Sequence, residues 1–260
     1  MEVPANPRRI VSLAPSVTET LYALGAGDRV IARTDYCDYP PQVRRKPSIG
    51  GVINPNVEMI VSLRPDLVIG TPEINKIEVA DQLARFHIPL YGVHARSLDD
   101  VLSSLKDLGA LLGTSGQAVE VVRSLEARRD AVVRRVAGHP RPRVLYLVWY
   151  HPISVPGKNS FITSLITLAG GQSISADLKQ DWAQMSLEEI VRRDPEVILI
   201  PRSNEGLPVS KQLKQWAGWD STTAVRTQKV YEVQDDANHP SPRLFDALEE
   251  ISKILHPEGK

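Results

Sequence analysis

Short aliphatic runs alternate with amphipathic stretches from one end of the chain to the other. RRIVSLAP (8–15) reads as a strand closed by a proline, and VTETLYALGAG (17–27) as a helix stopped by glycines. RVIAR (29–33) is a second strand, and TDYCDYPPQ (34–42), with its prolines and aspartates, a loop. A helix bearing Glu58 precedes DLVIG (66–70), whose unbroken apolar run predicts a fully buried strand. VADQLARFHI (79–88) and PLYGVHA (89–95) continue as helix and strand. This alternation predicts an α/β fold with a parallel sheet.

The same plan is then written a second time. RVLYLV (143–148) and EVILI (196–200) read as strands, FITSLITLAGG (161–171), SLEEIVRR (186–193) and QLKQW (212–216) as helices, and KVYEVQD (229–235) as a closing strand. NVEMIVSLRPDLVIG (56–70) and SLEEIVRRDPEVILIP (186–201) share one frame: Glu, Ile-Val, three residues, Pro, an acid, and aliphatics. Glu58 and Glu188 occupy the same slot, and Gln82-Leu83 and Gln212-Leu213 each follow their Glu by 24 residues. Two in-register phrases around equivalent strands point to an internal duplication. Each Glu falls near a helix start, with Asn56 and Ser186 as N-caps and Ser186 with Glu189 as a capping box. On that footing alone, both acids are explained by their affinity for the positive helix end.

Between the halves, Val101, Leu102, Leu105, Leu108 and Leu112 keep helical spacing, and Val119, Val122, Leu125 and Val132 or Val133 do so after a Gly-Thr-Ser-Gly break. The second piece, about 23 residues, would span roughly 35 Å. The expected organisation is an N-terminal lobe over 1–112, a connecting helix over 113–139, and a C-terminal lobe over 140–260 that ends in the helix SPRLFDALEEISKIL (241–255).

Composition narrows the function. Of 260 residues, 42% are hydrophobic and 24% charged, and the formal net charge is zero. That balance argues against a general nucleic-acid binder or a protein held on anionic lipid by charge. A single cysteine, Cys37, excludes an internal disulfide and any multi-cysteine metal site, and reads as a small buried residue. No run of about 20 apolar residues predicts a membrane span. The opening MEVPANPRRIVSLAP lacks signal-peptide character, so the sequence read as complete implies a cytosolic protein, and read as processed, an exported one. G-x-S-x-G, P-loop and G-x-G-x-x-G motifs are absent. The six histidines are dispersed, with His151 and His239 in loops of the second half.

Two similar α/β lobes joined by one long helix resemble the substrate-binding proteins of ABC importers that carry cobalamin, haem and ferric siderophores. TDYCDYPPQ, NPNVEMIVSLRPDLVIG, RVLYLVWYHPISVPGK, LAGG, DWAQMSLEEIV and DDANHPSPR carry the resemblance toward the cobalamin-binding branch. It implies a non-catalytic periplasmic protein, expected as a monomer, with a corrinoid between its lobes as ligand and no cofactor of its own. It also implies that Glu58 and Glu188 dock onto a two-fold permease dimer, one acid per lobe.

Open parallel sheets place ligands beyond the carboxyl ends of their strands. Tyr36, Trp149, Tyr150 and Trp182 fall in the loops expected there, with Asp235 and Asp236 after the last strand. The resemblance matches Tyr36, Trp182 and Asp235 to ligand contacts, but Thr71 stands where an aromatic is expected, and GGVINPN and DDANHP each lack one. A haem or siderophore ligand remains the alternative, the latter served by Arg33 and Arg202. The alternative of another class is a metal-dependent enzyme on the same framework, using Asp35, Asp38, His151, Asp235 and His239.

Overall fold

A computed structural model describes residues 3–150, 152–202 and 218–257. The chain divides into two compact units, residues 1–95 with 99–126, and 96–98 with 127–260.

The first unit is built on a four-stranded parallel sheet in the order β2-β1-β3-β4. Its strands are β1 (Ile10–Ser12), β2 (Val30–Ala32), β3 (Leu67–Gly70) and β4 (Leu90–Gly92). Helices α1 (Pro15–Ala23), α2 (Val57–Ser62) and α3 (Ile77–Arg85) connect them. The proline expected to close β1 instead starts α1, at a position where its missing N–H costs nothing. Every residue of β3 is buried, as its unbroken aliphatic run requires. Around it, Val11, Leu13, Ile60, Val68 and Leu83 form one core cluster.

The second unit repeats this sheet as β11-β10-β5-β8. Here β5 is Arg143–Tyr146, β8 Gln172–Ser173, β10 Val197–Pro201 and β11 Val230–Val233. Helix α6 (Phe161–Leu168) precedes β8, and α7 (Leu187–Arg193) precedes β10. Leu145, Leu147, Ile190 and Ile198 occupy the core positions that Val11, Leu13, Ile60 and Val68 hold in the first unit. The correspondence reaches single residues. Ile10 pairs with Leu67 as Val144 pairs with Val197. Arg64 (φ 47°) and Asp194 (φ 43°) take the same left-handed turn before Pro65 and Pro195. The Asp66 carboxylate accepts the Arg9 N–H at 2.9 Å, as Glu196 accepts that of Arg143. The recurrent acid after the proline therefore ties the head of one strand to its neighbour.

The second half of the Gln-Leu register, Gln212-Leu213, lies outside the described residues. The turn before β4 and the turn before β11 close with the same type of backbone bond: Ile88 N–H donates to Leu83 O and Lys229 N–H to Ala224 O.

Two helices link the units, α4 (Leu98–Leu111) and α5 (Ser115–Val136). The 22 residues of α5 match the expected length, with residues up to Glu126 counted in the first unit and the rest in the second. A final helix, Leu244–Leu255, closes the second unit, and Arg128 of α5 binds its Asp246 and Glu249, at 2.5 and 2.7 Å.

One element has no counterpart among the described residues of the first unit. β6 (Trp149–Tyr150), β7 (Ile153–Pro156) and β9 (Trp182–Gln184) form a three-stranded antiparallel sheet. The sequence reading placed Trp149, Tyr150 and Trp182 in loops; they stand on strands. Gly157 makes this possible. Its N–H bonds the Asp181 carbonyl at 2.9 Å, and a Cβ there would sit 1.7 Å from the Gln180 carbonyl oxygen. Only a residue without a side chain lets these backbones approach so closely.

Candidate functional site

The repeated acids come first, because the duplication singled them out. Asn56 accepts the Met59 N–H at 2.9 Å and Ser186 accepts the Glu189 N–H at 3.2 Å, so both helices are capped as expected. The reciprocal half of the capping box is not the bond that forms. The Glu189 carboxylate turns instead to Arg192, at 2.6 and 2.8 Å, and to Arg193. Hydrogen bonds from Arg192 and then Arg193 hold its pKa down to about 2. Glu58 and Glu188 differ from it. Both are exposed in the first helical turn, and neither has a partner among the described residues.

The carboxyl ends of the first sheet are tied together by Asn75. Its Oδ1 accepts the Thr71 N–H at 2.6 Å, and its Nδ2 donates to Leu13 O at 3.3 Å and Val52 O at 2.9 Å. One amide thus fixes the loops after β1 and β3 and the segment before α2. The Thr71 hydroxyl, only 4% exposed in its residue, has no partner among the described residues. Beside them, Arg33 donates to the carbonyls of Thr34 and Asp35, and Asp35 accepts from Ser48. That packing leaves Tyr36 projecting, 66% exposed. Cys37 is buried against Thr34, 3.1 Å away, and burial raises its thiol pKa above the ordinary value.

In the second unit the small antiparallel sheet organises the aromatics. Trp149 lies across from Ser154, and Ser154 from Gln184; in the next row Pro156 lies across from Trp182. Residues alternate between faces along a strand. Trp149, Ser154, Gln184 and Trp182 therefore share one face, while Ile153, Val155, Ala183 and Met185 point into the core. Trp149 is 57% exposed and Trp182 43%. Trp182 is held edge-on against Phe161, ring centroids 5.9 Å apart, and Trp149 stacks with Tyr150 at 5.6 Å. Asp235 and Asp236 begin a 3-10 turn after β11, Asp235–Asn238, where Asn238 accepts the Tyr146 hydroxyl at 3.0 Å.

Two of the groups invoked for the alternatives are paired. Arg202 pairs with Glu232 at 3.6 Å, and Asp38 with Arg44 at 3.3 Å. His151 lies outside the described residues, and no group of three or more His, Cys, Asp or Glu side chains that would hold a metal occurs among the described ones. No helix among them is long and apolar enough to cross a membrane. A cavity of about 560 Å³ beside α7 is lined by Arg143, Asp177, Arg192 and Arg193.

Residues 10–237 match the family model described as periplasmic binding protein. The vitamin B12-binding protein of Pectobacterium atrosepticum is 30% identical over 96% of this chain and 89% of its own length. YvrC of Bacillus subtilis, an uncharacterized ABC transporter substrate-binding lipoprotein, is 30% identical over 97% of this chain and 81% of its own. Among solved structures, the periplasmic vitamin B12 binding protein BtuF of Vibrio cholerae superposes with a TM-score of 0.84 at 26% identity, covering 97% of this chain and 98% of its own. The periplasmic heme-binding protein RhuT from Roseiflexus sp. RS-1 gives the same TM-score at 28% identity, over 96% and 98%.

Proposed function

The chain belongs to the periplasmic binding protein family, and we propose that within it this member takes up a corrinoid, a vitamin B12-like macrocycle, and delivers it to an ABC permease. Its family and relatives are binding proteins, not enzymes, and its general role is that of a substrate-binding protein of an ABC transporter. The family is a periplasmic one, and we place this chain outside the cytoplasmic membrane.

The observation that carries the ligand reading is the exposure of Trp149 and Trp182 on one face of a sheet whose other face is core. Leaving two indoles about half exposed forfeits on the order of 1 kcal/mol each of burial energy, a cost that a broad, partly apolar ligand recovers. Tyr36, Asp235 and Asp236, at the carboxyl ends of the two sheets, complete the proposed ligand set, and Tyr150 joins it through its stacking on Trp149. The cations a ferric siderophore would need are engaged: Arg33 by backbone carbonyls and Arg202 by Glu232. Haem remains the nearest rival, since RhuT shares the fold to the same degree.

Delivery rests on Glu58 and Glu188. Helix capping uses Asn56, Ser186 and backbone groups, and Glu189 is spent on its arginines. The two remaining acids, equivalent by the internal repeat, suit a permease dimer offering a cationic pocket on each subunit. Tryptophan fluorescence titrated with cyanocobalamin, haemin and a ferric hydroxamate tests the ligand. Quenching by cyanocobalamin that is lost in Trp182→Ala is the expected result; quenching by haemin alone would move the assignment to haem. Glu58→Ala with Glu188→Ala is expected to leave that titration unchanged while abolishing uptake in cells, and uptake at the normal rate would remove the docking role.

A further inference from the structure

We infer that Ser154 and Gln184 form the hydrogen-bonding centre of the ligand face and select a neutral macrocycle bearing carboxamide groups over one bearing carboxylates. The inference rests on the receptor reading above and adds the chemistry of its selectivity. Ser154 sits on the central strand of the small sheet, between Trp149 and Gln184 in one cross-strand row. Two strand spacings and two residues along the sheet separate the backbones of Trp149 and Trp182 by about 12 Å. That is on the scale of a tetrapyrrole-type ring, and the hydroxyl and the amide stand within this frame.

Neither side chain is spent on the fold. Gln184 is exposed and Ser154 half-buried, and neither side chain has a hydrogen-bond partner among the described residues. The cross-strand positions of this face, Trp149, Ser154, Pro156, Trp182 and Gln184, carry no charge. A carboxylate pressed against these five positions would lose its water without gaining a cation from any of them, a substantial cost. A carboxamide meets a matched partner. The Gln184 carbonyl accepts its N–H, the Gln184 amide donates to its oxygen, and the Ser154 hydroxyl serves either role. Corrinoids carry carboxamides around the ring, whereas haem carries two carboxylates.

Equilibrium dialysis of wild type, Gln184→Leu and Ser154→Ala against cyanocobalamin and haemin tests this. Gln184→Leu is expected to raise the cyanocobalamin Kd about 10-fold, and Ser154→Ala about 3-fold, while either changes the haemin Kd less than 2-fold. Both positions lie on the open face, and circular dichroism is expected to match wild type. If wild type binds cyanocobalamin and Gln184→Leu binds it equally well, the selectivity role falls and the receptor reading stands. Equal weakening toward both ligands would make the two residues mere supports of the aromatic surface. Failure of wild type to bind cyanocobalamin would instead overturn the corrinoid reading.

Discussion

Gly157→Ala tests how the ligand face is built. The added methyl carbon would lie 1.7 Å from the Gln180 carbonyl oxygen and 2.9 Å from that of Leu178. Ordinary carbon–oxygen contact requires about 3.2 Å, so the 178–181 segment must retreat by about 1.5 Å. Two backbone bonds hold that segment, Gly157 N–H to Asp181 O at 2.9 Å and Lys158 N–H to Leu178 O at 2.8 Å. Losing both costs about 2 kcal/mol, and overpacking adds about 1–3 kcal/mol, for a total of about 3–5 kcal/mol. At roughly 2–4 °C per kcal/mol for a protein of this size, the melting temperature falls by about 6–20 °C. Gly116→Ala is the control: it lies in the first turn of α5, where an added Cβ meets nothing within 4 Å. Alanine there is expected to be neutral or stabilising by up to about 1 kcal/mol. Differential scanning calorimetry measures both. If Gly157→Ala melted within 2 °C of wild type, as an order of magnitude for a harmless change, the close approach would not be what positions β9 and Trp182.

Glu189 gives an acid dependence with a defined sign. Its pKa is lowered from 4.5 to about 2, so its contribution is whole above about pH 4.5 and is lost as pH falls toward 2. Asp177, lowered chiefly by its hydrogen bond from Arg193, acts in the same direction. Urea unfolding of wild type is therefore expected to weaken between pH 5 and 3, and Arg193→Gln to flatten that slope; equal slopes would contradict the linkage. Ile190→Ala, at a fully buried position in the second core, is expected to cost about 3 kcal/mol by the same method, and a cost under 1 kcal/mol would mean that α7 does not anchor there. Cys37, 1% exposed with its thiol pKa raised, is expected to resist a thiol reagent at pH 8 in the native state and to react on unfolding; rapid native labelling would show the loop to be open.

The duplicated sheet was legible because its signals are local. Buried strands are written as aliphatic runs, and the Glu and proline frames mark where each helix starts and each strand follows. Even the left-handed turn at Arg64 and Asp194 lies inside the repeated phrase, although nothing in an Arg or an Asp announces a positive φ. The length of α5 followed from its apolar spacing. The small antiparallel sheet was not legible, because β6 spans two residues and β9 three, too few for a period to show. Its one available signal was Gly157, which has no reason to be glycine until Gln180 is known to lie against it. The aromatic residues were found by type and position, but their common face depends on a register that pairs residues about 30 apart in sequence. Ser154 and Gln184 passed unnoticed for the same reason. The partner of Glu189 was also misread: a capping box was expected, and two arginines one turn later took the carboxylate.

Calorimetric titration of the protein with cyanocobalamin puts the corrinoid reading to its most direct test. The expected result is one ligand per chain with a Kd below about 1 μM, a free energy of about −8 kcal/mol or better. Absence of heat and binding at that concentration, with haemin binding one-to-one in its place, would contradict it.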